Sequence, residues 1–198
     1  MSRFIHGLYW MFLGLWLGAI VMFAVAAGAV FATLARYEPT IGIEPLSRLS
    51  DVAPSRIMAG GVVGRIIVGL AVIQLICAVM AALTAVLQCT LFRRSLPRGG
   101  RSPANVARLL MLGLAMLILA VDLLWINPGV GRQATIMYDP NLPAETRFEA
   151  RTRFDTLHKT SERAVTIQAL LLAAALLTSA FALNPRENQP QMDTDEHG

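Results

Sequence analysis

The sequence predicts an all-α fold, a four-helix transmembrane bundle whose last helix is long and extends beyond the membrane. The 198 residues are 55% hydrophobic and only 15% charged, with a mean hydropathy of +0.55, which is too apolar for an ordinary soluble domain. Four stretches also carry almost no charge over the roughly 20 residues that a helix needs to cross about 30 Å of hydrocarbon. They are residues 4–35, 66–92, 109–126 and 164–185.

Each of these stretches is expected to be a helix rather than a strand. Within lipid, every backbone N–H and C=O group of a single span must be paired inside that span, which a helix achieves. The period-two alternation of an outer-membrane barrel is absent from the sequence. We therefore expect helices at about 5–35, 56–92, 103–126 and 144–183, followed by a disordered polar tail at 184–198.

The first apolar stretch could instead be a secretory signal, because Arg3 precedes it and the small residues AVAAGA, at 24–29, suggest a cleavage site. The apolar core of a signal has roughly 7 to 15 residues. This stretch continues well past that length before the small residues begin, so a membrane span is favoured.

Capping and helix-breaking residues mark the predicted helix ends. Ser102 and Pro103 fit the start of the third helix, and NPG at 127–129 predicts its stop. No Gly or Pro interrupts the chain between Pro143 and Leu183, so one helix of about 40 residues and about 60 Å is expected there. Its first half alternates in charge, which predicts that it projects from the membrane or lies along its surface.

An arginine cluster between the second and third helices predicts the orientation. Residues 93–108 carry five Arg and no acid, and short loops of this kind stay in the cytoplasm. The other two loops hold nine basic residues against seven on the predicted cytoplasmic side, but those nine are spread out and interleaved with acids. Sixteen Arg against one Lys suggests a bacterial source, so we expect a bacterial inner membrane with both termini in the cytoplasm.

The same cluster is predicted to contact membrane lipids. Because no aromatic residues are interleaved with the arginines, anionic headgroups are favoured over nucleic acid as partners. The residues expected to contact headgroups are Arg93, Arg94, Arg98 and Arg101.

Asp122 is the one acidic residue within the four apolar stretches. An ionised Asp in a membrane helix costs roughly 3 kcal/mol at mid-membrane and is normally paired or faces a cavity. Because the first and third loops lie on the same side, Arg65 and His158 fall at the level of Asp122 and are its candidate partners. A structural ion pair, a polar pocket that binds a ligand or cation, and an unpaired snorkelling side chain all stay open.

Small residues four apart occur in three helices, and such spacing lets helices approach closely. We expect these pairs to pack within the bundle rather than between two chains. They are Gly14 with Gly18, Gly60 with Gly64, and Ala169 with Ala173.

No motif in the sequence identifies a reaction. The three His, at positions 6, 158 and 197, lack metal-ligand spacing, and the phosphate-loop, nucleophile-elbow and dinucleotide patterns are absent. We expect no catalytic residue, cofactor or metal site, and a non-enzymatic structural or accessory membrane protein. The alternative is a small-solute or metal-handling transporter with a polar site near Asp122. Whether the chain forms a homo-oligomer or joins a membrane complex stays open.

Two short segments and a first helix rich in small residues resemble the transmembrane protein 205-like family, also called domain of unknown function 4149. The segments are LWINPGVGRQATIMY at 124–138 and RFDTLHKTSERAV at 153–165. The family pattern has a polar residue, Trp, Pro and Arg at the end of helix 3, then an aromatic residue, His and Ser at the start of helix 4. The matching residues are Asp122, Trp125, Pro128, Arg132 (displaced by an inserted GVG), Phe154, His158 and Ser161.

The resemblance covers about residues 8–182 and implies a four-helix integral membrane protein. For some family members the resemblance also implies a link to metal-drug tolerance and secretion. It implies no catalytic activity. Two positions depart from the pattern: Lys159 stands where glycine is usual, and Val165 where asparagine is usual. If the pattern encodes a polar pocket, this chain has lost part of it.

Overall fold

Four long helices make up the fold, which we describe from a computed structural model. The residues it describes are 2–37, 54–92 and 103–182. They form α1 (Ser2–Tyr37), α2 (Pro54–Phe92), α3 (Pro103–Met137) and α4 (Ala144–Ala182). Each helix is long and apolar enough to span a membrane, so the predicted all-α, four-span architecture of a multi-pass membrane protein is confirmed. The predicted headgroup contacts Arg93, Arg94, Arg98 and Arg101, and the tail at 184–198, lie outside the described residues.

The helices pack as two pairs. Helix α1 lies along α2 and α3 lies along α4, while α1 also contacts α4 and α2 makes few contacts with α3. The core between the pairs combines large side chains of α1, including Tyr9 and Trp16, with buried alanines of α2 such as Ala78 and Ala81. Small side chains let the backbones approach closely, which is how helices associate where lipid removes the hydrophobic driving force.

The glycine pairs do not supply this close packing. A Cβ atom added at Gly14, Gly18, Gly60 or Gly64 would meet nothing within 4 Å. The expectation that these glycines pack within the bundle is therefore wrong. The alanines of α2 take that role because they lie on the face that meets α1.

Arg108, the last residue of the arginine cluster, belongs to α3. It lies little more than one turn after Pro103 and is buried, with its guanidinium carbon 4.8 Å from the centre of the Tyr9 ring. An aromatic face attracts a cation in this geometry, so the ring offsets part of the cost of burying the charge.

Helix α3 does not stop at the NPG sequence. An α-helical stretch (Pro103–Val121) leads into a π-helical turn (Asp122–Ile126), and the helix resumes at Asn127 and ends at Met137. Proline lacks an N–H group, and its ring clashes with the carbonyl four residues earlier in a regular α-helix. The wider π turn just before Pro128 removes that conflict, and Pro128 lies in the first turn of the next stretch, where its missing N–H group is tolerated. The predicted end near residue 126 is therefore wrong.

The continuation of α3 lies along the charged first half of α4. The 35 residues of α3 extend about 52 Å, well beyond the hydrocarbon core of a bilayer. Met137 and Ala150 are buried where the two helices meet, whereas Phe148 is 71% exposed. A turn at residues 138–143 connects the two helices. Both helices, rather than α4 alone, are therefore long enough to project from the membrane.

We predict that Gly129→Val lowers the stability of this helix pair. A Cβ at Gly129 would lie 3.1 Å from Cδ1 of Leu157, so a larger side chain must displace Leu157 from its position between α3 and α4, at a cost of about 1–3 kcal/mol. Gly131→Val is the matched control, because a Cβ there meets nothing within 4 Å. Circular dichroism melting curves in mild detergent compare the two, and equal melting temperatures would contradict the described packing.

Candidate functional site

The Asp122 carboxylate is buried and accepts a hydrogen bond at each oxygen. The Ser161 hydroxyl on α4 donates to Oδ1 at 2.8 Å, and Nδ2 of Asn127 donates to Oδ2 at 2.9 Å. The Asp122 side chain lies at the start of the π turn, and the residue is 7% exposed. The Ser161 bond connects α3 to α4, and both bonds compensate the carboxylate for the water it has lost.

The π turn is what brings Asn127 to Asp122. In a π-helical turn the backbone N–H group bonds to the carbonyl five residues earlier, and here the N–H of Asn127 donates to the carbonyl of Asp122. The Asn127 side chain then reaches the carboxylate of the same residue. In a regular α-helix the neighbours on this face would be three and four residues away, so the local helix geometry determines this contact.

A cavity of about 590 Å³ lies beside Asp122, and all four helices line it. Its volume falls in the range of small-molecule sites, roughly 300–1,000 Å³. Most of the lining is apolar, as in such sites. The polar residues in the lining are Gln74, Asp122, Asn127, His158, Ser161, Glu162 and Thr166.

One end of the cavity opens at the protein surface. Phe31, His158 and Glu162, which we call the cavity mouth, line it and have exposed fractions of 44%, 51% and 64%. Nε2 of His158 lies 3.3 Å from Oε1 of Glu162, and the His158 ring stacks on Phe154 with centres 5.6 Å apart. Because α4 is free of charged residues only from Ala164 onward, the mouth falls at the level where α4 enters the membrane.

Gln74, which lines the cavity, belongs to a buried network of two amides and an indole. Oε1 of Gln74 accepts hydrogen bonds from Nε1 of Trp16 at 3.2 Å and from Nε2 of Gln168 at 3.1 Å. The three side chains come from α1, α2 and α4. An unpaired polar group is costly in lipid, so this network ties three helices together.

Arg65 does not pair with Asp122. Helix α2 faces the cavity with residues 63, 67, 70, 71 and 74, which share one helical face, whereas Arg65 projects from another face and is exposed. Within the described chain no ion pair connects Arg65 to Asp122. The sequence placed Arg65 at the right level but could not place it around the helix, and the predicted pairing is wrong.

His158 and Asp122 do share the cavity, although the His158 side chain pairs with Glu162 rather than with Asp122. Ser161 contacts Asp122 directly. Val165, at the position where the family pattern has asparagine, also lines the cavity. Several of the positions that carry the resemblance thus converge here.

The remaining motif positions lie elsewhere. Trp125 is 70% exposed, Pro128 and Arg132 are exposed, and none of the three lines the cavity. Trp125 therefore occupies an outward-facing position, as a residue of an interfacial aromatic belt does.

The amides of the site were not among the residues predicted from the sequence, because those were chosen for their charge. Gln74 and Gln168 interrupt otherwise apolar stretches, and amides at such positions normally bond across helices, which is the signal that could have identified them. Asn127 was not predicted as a site residue because NPG was interpreted as the end of the helix. Its contact depends on the π turn, which the sequence does not reveal.

No three His, Cys, Asp or Glu side chains in the described ranges lie close enough together to hold a metal ion. The comparisons add no family: no protein-family model, curated protein or solved structure matches this chain. The resemblance to the transmembrane protein 205-like family therefore stays a prediction based on its short motifs.

We predict that Asp122 is energetically coupled to Ser161 and not to Arg65. A double-mutant cycle of Asp122→Asn with Ser161→Ala should give a coupling free energy of about 0.6–1.7 kcal/mol, the range measured for hydrogen bonds between membrane helices. The cycle of Asp122→Asn with Arg65→Gln should give a coupling free energy below about 0.5 kcal/mol, as is usual for two residues that share no contacts. Unfolding in SDS titrations measures both, and a larger coupling to Arg65 than to Ser161 would overturn the described geometry.

Proposed function

We propose that this chain is a non-enzymatic integral membrane protein that holds a small, largely apolar guest molecule in the cavity beside Asp122. The observation that carries the proposal is the cavity itself, about 590 Å³ in volume and lined by all four helices. A bundle of this size needs no such space for its own stability, because close packing of the helices is what stabilises it.

The character of the lining supports a guest. Small-molecule sites combine apolar walls with a few placed polar groups, and the cavity beside Asp122 has this composition. A carboxylate within a membrane helix is costly, and such residues usually mark a ligand or ion site. Here the carboxylate lies on the cavity wall and is held in place by two hydrogen bonds.

The environment of Asp122 also favours binding over catalysis. Both carboxylate oxygens are fixed by hydrogen bonds to Ser161 and Asn127, which suits a positioned acceptor better than a group that exchanges protons. His158 pairs with Glu162 and so does not orient Asp122 as a catalytic partner would. The fixed Asp122 also supports the structural role expected from the sequence, since it joins α3 to α4.

Passage of the guest through the membrane is a second candidate function, favoured by the π turn at Asp122–Ile126. Transporters often build their sites where a membrane helix is locally irregular, and π turns are frequent at functional sites. If the protein transports its guest, flux into vesicles that contain Asp122→Asn should be lower than flux into vesicles that contain the wild-type protein. Unchanged flux would remove this candidate.

We place the protein in a bacterial inner membrane with both termini in the cytoplasm. The arginines of residues 93–108 support this orientation. Four of them also support contacts with anionic lipid headgroups: Arg93, Arg94, Arg98 and Arg101. An alkaline phosphatase fusion at the C-terminus should be inactive in cells, and an active fusion would contradict the orientation.

We predict that filling the cavity weakens guest binding. Ala27 lines the cavity, so an indole in Ala27→Trp occupies the space that a guest would need. Ala29→Trp is the matched control, because Ala29 is exposed on the same helix and is not part of the lining. Nile red, a neutral apolar dye, should bind the purified protein saturably, about tenfold more weakly to Ala27→Trp and unchanged to Ala29→Trp. Equal binding to both variants would contradict the proposal.

A further inference from the structure

We infer that the guest is a lipophilic cation, an organic ion whose single positive charge is carried on an apolar body. The inference rests on the proposed function and specifies the chemistry of the guest. It follows from the charges, the hydrogen-bonding groups and the aromatic residues of the cavity.

The charged residues of the lining are mostly acidic. Asp122 and Glu162 line the cavity together with His158, and no Arg or Lys of the described chain does so. This is not a consequence of composition, because the chain has 17 basic residues against 13 acidic ones. Lys159 and Arg163 belong to the same stretch of α4 but are exposed and lie outside the lining. The basic side chains at this level therefore point away from the cavity.

The Asp122 carboxylate keeps capacity to accept hydrogen bonds. A carboxylate can accept about four, and Asp122 receives two, from Ser161 and Asn127. The hydroxyl of Ser161 is used in that contact, and the hydroxyl of Thr166 donates to the backbone carbonyl of Glu162 at 2.8 Å. Both hydroxyl donors are therefore occupied while the carboxylate can still accept, which suits a cation.

The rest of the lining suits an apolar body. Phe23 and Phe31 contribute aromatic rings, and Leu70 and Leu119 are among the aliphatic side chains. Aromatic faces attract cations, most strongly where water is excluded. A bare metal ion would need several oxygen, nitrogen or sulfur ligands, and no group of three His, Cys, Asp or Glu side chains that could supply them occurs in the described part of the chain. An organic cation matches both the acidic residues and the apolar walls.

Two probe ions of nearly equal size and opposite charge test the inference. Tetraphenylphosphonium and tetraphenylborate both partition into detergent, so binding is measured by equilibrium dialysis of the full chain, with the cavity-filled Ala27→Trp variant as the background. We expect saturable binding of tetraphenylphosphonium at about one ion per chain. We expect tetraphenylborate to bind at least tenfold more weakly. Similar binding of both ions would overturn the inference and leave the proposed cavity function standing.

Variants of the acidic residues identify the groups responsible. Asp122→Asn should weaken tetraphenylphosphonium binding about tenfold, because the negative charge on the cavity wall is removed. Glu162→Gln is the second variant, since its exposed side chain is not needed for folding, and it should weaken binding in the same direction. Asp155→Asn is the control, because Asp155 is exposed on α4 and outside the lining.

The outcomes separate the two hypotheses. If neither acidic variant changes tetraphenylphosphonium binding, the cation inference fails although the cavity still binds guests. If neither ion binds but Nile red does, the inference again fails alone. If neither the ions nor Nile red binds saturably, the proposed function and the inference fail together.

Discussion

The hydrogen bond between Ser161 and the Asp122 carboxylate is the constraint on which the rest of the site depends. A carboxylate among apolar helices must find donors, and Ser161 on α4 and Asn127 one π turn along α3 supply them. The contact with Ser161 fixes how α3 and α4 lie against each other at this level. Because the same carboxylate lies on the cavity wall, the interaction that joins the two helices also determines where an acceptor meets a guest.

The two halves of the bundle differ in how tightly they pack. Toward the start of α1, Tyr9 and Leu13 are fully buried in the core that also holds Ala78 and Ala81, and Arg108 is held against the Tyr9 ring. Toward the end of α1 the same two helix pairs enclose the cavity instead. The Gln74 network lies between these halves and separates the close-packed core from the open space.

The sequence predicts the helices and their levels well, because both depend on length and charge along the chain. Four uncharged stretches are enough to predict four spans, and the connectivity puts Asp122 and His158 at one level. The rotation of each helix about its axis is not predicted in the same way. Helix α2 is apolar almost all round, so no hydrophobic stripe marks its inner face, and Arg65 could be assigned to the wrong side. The helix end predicted at NPG was wrong because a π turn can accommodate a proline within a continuous helix. Formation of that turn depends on packing against α4 rather than on the local residues alone.

Infrared spectroscopy of the Asp122 carboxyl group tests the central claim most directly. The difference spectrum between the wild-type protein and Asp122→Asn isolates its bands, whose positions depend on hydrogen bonding. These bands should shift in Ser161→Ala and again when tetraphenylphosphonium is added, and they should stay in place in Arg65→Gln. Bands that are unchanged in Ser161→Ala but shifted in Arg65→Gln would show that Asp122 is paired with α2 and not with α4.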